Sequence, residues 1–127
     1  MLRNEATSGK GIGSVTRSTD GSPQYQGGDT VRIMLRVTIP VEQGNKAIKD
    51  GSLAKTFQAL MEEHKPEAAY FHAHQGKRSG VFYFDLKDTT DIPRIVEPLF
   101  MHLDAEIEAT PVMNADDLKA GLAKVKL

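Results

Sequence analysis

Seven side chains of the kind that hold ligands or move protons recur at every second position in four short stretches. Arg36 lies in 31–39 (VRIMLRVTI), Tyr70 and His72 in 67–74 (EAAYFHAH), Tyr83 and Asp85 in 78–86 (RSGVFYFDL), and Glu106 and Glu108 in 105–112 (AEIEATPV). A spacing of two places such residues on one face of a strand. Imidazole takes up and releases protons near neutral pH, so His72 is the candidate proton-transfer group if the chain is an enzyme. Tyr70 and Tyr83 would orient a ligand hydroxyl or ring. Arg36 would hold a carboxylate or be neutralised by Glu108. Asp85 and Glu106 complete the set as further carboxylates. No nucleophile or oxyanion-hole motif is visible, which argues against acyl transfer. The sequence therefore leaves open whether the chain is an enzyme and assigns no catalytic residue.

Other patterns carry less. His72-x-His74 sets two imidazoles about 7 Å apart on one face. Glu106 or Glu108 could complete a two-His, one-carboxylate site, but they belong to a strand expected at the opposite edge of the sheet, so no metal site is expected, and no cofactor. Gly9-Lys10-Gly11-Ile12-Gly13 follows no strand and lacks the spacing of a phosphate-binding loop. In KRSGVFYF (77–84) the positions that would stack RNA bases are Ser79 and Val81, while Phe82 and Phe84 point to the core. The segment NKAIKDGSLAKT (45–56) reads as a kinked helix with a solvated basic face, or as a lip whose lysines attract an anion.

These residues need elements to hold them. Val31, Ile33, Leu35, Val37 and Ile39 alternate with polar or long side chains, a half-buried strand ended by Pro40. Residues 41–50 look helical but are interrupted by Gly44 and Gly51. Ser52 is expected to cap a helix bearing Leu53, Phe57, Leu60 and Met61. Pro66 stops it, and a second strand follows. Gln75-Gly76-Lys77 is a tight-turn signal joining it to the third strand. Asp91 is expected to cap a helix with the stripe Ile92, Ile95, Val96, Leu99, Phe100 and Leu103, which Pro98 should kink or split. After the fourth strand, Asn114 caps a short terminal helix with Leu118, Leu122 and Val125 facing inward.

The order predicts an α+β, ferredoxin-like βαββαβ fold. Its four-stranded antiparallel sheet is expected in order 4-1-3-2, with helices on one face plus a short C-terminal helix. Ile33, Leu35, Val37, Ala69, Phe71, Ala73, Phe82, Phe84, Leu86, Ala105, Ile107 and Ala109 should face the helices. The opposite face holds Arg32, Met34, Arg36, Thr38, Tyr70, His72, His74, Val81, Tyr83, Asp85, Glu106, Glu108 and Thr110. Residues 1–29 carry six of the 11 glycines and no periodicity, and read as a disordered N-terminal arm or leader before a domain at 30–127.

The segments IPVEQGNKAIKDGSLAKT (39–56), KPEAAYF (65–71), FD (84–85), IP and EP (92–93, 97–98) and PVM (111–113) make the chain similar to a group of small uncharacterised bacterial proteins. They belong to the dimeric α/β-barrel superfamily, whose subunits pack sheet against sheet. The resemblance spans about residues 31–122 and implies a fold and a homodimer but no activity.

Composition narrows the classes. With 39% hydrophobic residues the 127-residue chain has enough for one core, and a net charge of −1 speaks against nucleic acid as a partner. The absence of cysteine excludes disulfide and thiolate chemistry. No apolar run approaches the roughly 18 residues of a membrane span, so no membrane partner is expected and the cytoplasm is the default location. The leading expectation is a homodimer binding a small organic ligand, anionic or aromatic, on its polar sheet face. The alternative is a non-catalytic regulatory or assembly module that uses this face only to dimerise.

Overall fold

In this computed structural model the described residues are 30–127, together with the backbone of Val15–Arg17 (β1) and Pro23–Tyr25 (β2). Those two strands pair antiparallel, with Val15 opposite Tyr25. The remainder of the expected disordered arm lies outside the described residues. The chain divides into two units, Arg32–Val112 and a second made of Met1–Val31 with Met113–Leu127.

In the first unit the elements run Val31–Ile39 (β3), Val41–Asp50 (α1), Ser52–His64 (α2), Ala68–His74 (β4), Lys77–Leu86 (β5), Asp91–Leu103 (α3) and Glu106–Pro111 (β6). They build an α+β fold around a four-stranded antiparallel sheet of order β4-β5-β3-β6. Arg36 stands opposite Glu108, and His72 opposite Ser79. Gln75 (φ 53°) and Gly76 (φ 78°) are both left-handed, the backbone of a two-residue hairpin turn that matches strand twist.

The expected ferredoxin-like plan of one helix in each crossover plus a short C-terminal helix is corrected: four helices accompany the sheet. Numbered among themselves, its four strands run 2-3-1-4 from the hairpin edge, which is 4-1-3-2 from the β6 edge. The cause is local: Gly51 at φ 81° ends α1 and opens α2, so the first crossover is two helices. Gly44 does not interrupt α1. It is buried there, and a Cβ on it would fall 2.7 Å from the Arg78 guanidinium. Nor does Pro98 split α3, whose residues Ile95, Val96, Leu99 and Leu103 are all buried. The packing of that stripe offsets the lost backbone bond.

The core joins Ile33, Leu35, Val37 and Ile39 of β3 and Phe82, Phe84 and Leu86 of β5 to Ala47, Phe57, Leu60 and the α3 stripe. The inward set expected from alternation holds on the two central strands and thins at the edges. Ala73 and Ala109 are exposed, and Phe71 retains 59% of its accessible surface.

In the second unit Ala115–Leu122 (α4) begins with a reciprocal capping box. Asn114 accepts from the Asp117 amide, and Asp117 accepts from the Asn114 amide. Leu118, Leu122 and Val125, expected to face inward, are exposed.

Candidate functional site

The sheet face turned away from the core carries all seven candidate residues. Arg36 is central to it. Its Nη1 lies 3.1 Å from His72 Nε2, and its Nε lies 3.5 Å from Glu108 Oε1. Guanidinium has only donors, so the His72 contact requires an unprotonated Nε2 and puts the ring proton on Nδ1. The Arg36 side chain is 22% exposed and that of Glu108 70%.

The same end of the face holds a hydroxyl pair. Ser79 Oγ donates to the Val37 carbonyl at 3.0 Å and lies 3.2 Å from Thr38 Oγ1. A serine has one O–H to give, so Thr38 is the donor to Ser79. Both residues are buried, and this pairing satisfies them. Lys77 reaches over β3 to Glu106, Nζ to Oε2 3.1 Å. At the other end Arg32 grips Glu67 with two parallel bonds, 2.7 and 3.1 Å.

The structure thus brings His72 and Glu108 each into contact with Arg36, and pairs Glu106 with Lys77. Tyr70, 66% exposed, stands opposite Val81, and half-buried Tyr83 stands opposite Ala68. The register puts His72 beside Ser79, not beside Tyr83. Asp85 is half-buried two positions along β5 from Tyr83. Among the described residues no His, Cys, Asp or Glu cluster could hold a metal ion, and no helix is long and apolar enough to cross a membrane. The rings of His72 and His74 stand edge-on at 6.1 Å.

Sequence reasoning missed the Thr38–Ser79 pair, because hydroxyls at outward strand positions give no signal of burial. It also missed Arg78. A signal was there: Arg78 falls on the inward beat of β5 with Phe82 and Phe84, where a charge needs a reason. Its Nη2 donates to Asn45 Oδ1 at 3.0 Å.

Two aspartates outside this face have a perturbed titration. Asp50 and Asp88 are both held below the usual aspartate value by hydrogen bonds, first from the side chain and then from the amide of Ser52 and Thr90 respectively.

The chain matches no known protein family, no curated protein and no solved structure.

Proposed function

We propose that this chain is a cytoplasmic homodimer of the dimeric α/β-barrel type. Its two sheet faces pack together and enclose a small organic ligand, anionic or aromatic, over Arg36, His72 and Tyr83. One observation carries the reading. The helices of Arg32–Val112 contribute to a core on one side of the sheet, and the other side displays Tyr70 and Tyr83 among charged groups that already have partners. Aromatic and arginine side chains of this kind are enriched where proteins associate. The experiment is sedimentation equilibrium at micromolar concentration. A species of twice 13.9 kDa supports the dimer. A monomer overturns it.

A second reading is favoured by the ion pairs themselves. Arg32, Arg36 and Lys77 each have a carboxylate, Glu67, Glu108 and Glu106. A face so neutralised can serve assembly alone. The two readings part on the dimer interface: an enclosed cavity above about 300 Å³ favours a ligand, and a face filled by paired side chains favours assembly.

A further inference from the structure

A pocket of about 420 Å³ opens between α2, the end of β3 and the β4–β5 hairpin. It lies within the range of about 300–1,000 Å³ typical of small-molecule sites. Its walls are mostly apolar: Ile39 from β3, Leu53, Ala54 and Phe57 from α2, and Phe71 from β4. Two of the lining rings, Phe57 and Phe71, pack on the buried Phe82. Phe57 and Phe71 meet edge-on at 5.6 Å, Phe71 and Phe82 edge-on at 5.6 Å, and Phe57 stacks on Phe82 at 5.7 Å. Gly80 makes room for this cluster, since a Cβ there would lie 3.1 Å from the rings of both Phe71 and Phe82.

One cation reaches this apolar space. Arg78 lines the pocket and is half-buried. Among the described residues its only hydrogen bond is to the neutral amide of Asn45, and no carboxylate pairs with it. A partly desolvated guanidinium with free donors favours an anionic oxygen pair. The exposed edge of Phe71 offers an aromatic ring an edge-to-face neighbour.

We infer that this pocket binds a small aromatic carboxylic acid, its ring against Phe57 and Phe71 and its carboxylate on Arg78. The apolar wall and Arg78 lie on the helix-bearing side of the sheet, and the pocket also reaches His72 and Ser79.

The test is an amide-resolved NMR titration of the full chain with 3-phenylpropanoate, and separately with the neutral 3-phenyl-1-propanol. The acid should shift the amides of Leu53, Ala54 and Phe71 saturably and bind about tenfold more tightly than the alcohol. Arg78→Gln should remove that preference and leave the alcohol's affinity unchanged. Ala54→Trp, at an exposed helix position, should fill the pocket and abolish binding of both. No saturable shift at these amides, or equal affinity for acid and alcohol in the unaltered chain, overturns the assignment. So does the same set of shifts on raising protein concentration alone, which would make a second copy of the chain the occupant.

Discussion

Arg36 in β3 donates a hydrogen bond to His72 in β4, across the full width of β5. On its other side the same guanidinium faces Glu108 of β6, directly opposite in register. One side chain therefore ties both edge strands to the centre of the sheet.

That arrangement makes Arg36→Ala the most informative substitution. With the face closed by a partner, the variant leaves Glu108 buried without its cation. It should lose about 3–5 kcal/mol of stability. With the face in water the loss should stay under about 1 kcal/mol. A denaturation midpoint on the single variant decides. A small loss would reduce Arg36, His72 and Glu108 to solvated surface and withdraw the case for an enclosed ligand.

Tyr70→Lys tests the association without touching the core. Tyr70 is the more exposed of the two face tyrosines, and a lysine there meets its own copy or the arginines of a partner. The variant should sediment as a monomer with an unchanged far-ultraviolet spectrum. A persistent dimer would place the interface elsewhere.

Gly51→Ala should cost on the order of 1–2 kcal/mol, since a Cβ is disfavoured at its left-handed φ of 81°. No neighbour lies within 4 Å of the added Cβ, so backbone strain is the whole effect. Calorimetry on the single variant measures it, and an unchanged midpoint would mean that the α1–α2 junction relaxes freely.

Asp50 and Asp88 give stability a defined pH dependence. Both carboxyls titrate lower in the folded chain than in the unfolded one, held down by Ser52 and Thr90. Their contribution is therefore complete above the ordinary aspartate value and is lost as pH falls through the lowered folded value. The double variant Asp50→Asn, Asp88→Asn should flatten the acid limb of a stability-against-pH curve. An unaltered acid limb would assign that dependence to other carboxylates.

Local pattern and tertiary context divide what the sequence made legible. The strand over 31–39 was readable residue by residue, because strict alternation and a terminal proline need no context. So was the turn at Gln75 and Gly76. The Asn114 cap was also visible, since an Asn followed by an acid at the right spacing satisfies itself. Two other caps were misplaced. Gly51 and Thr90 take the positions expected for Ser52 and Asp91, while Asp50, the last residue of α1, accepts the Ser52 amide and Asp88, ahead of α3, accepts the Thr90 amide. Alternation also told which face Phe71 uses, but not how far the helices extend over the edge strand, and so hid the pocket. The candidate face was legible as a set. Its pairings were not, because Arg36 to His72 depends on reach across an intervening strand.

The hairpin turn also bears on the order in which the sheet is expected to be built. β4 and β5 are joined by two residues, so their pairing closes a short loop, an event on the order of microseconds. β3 and β6 lie near opposite ends of the first unit, and their pairing must wait for both crossovers to be laid down. Loop length predicts that His72 and Ser79 become neighbours before Arg36 gains Glu108. A kinetic probe at Glu108 would then report final assembly of the sheet, and its signal arriving with the hairpin would overturn that order.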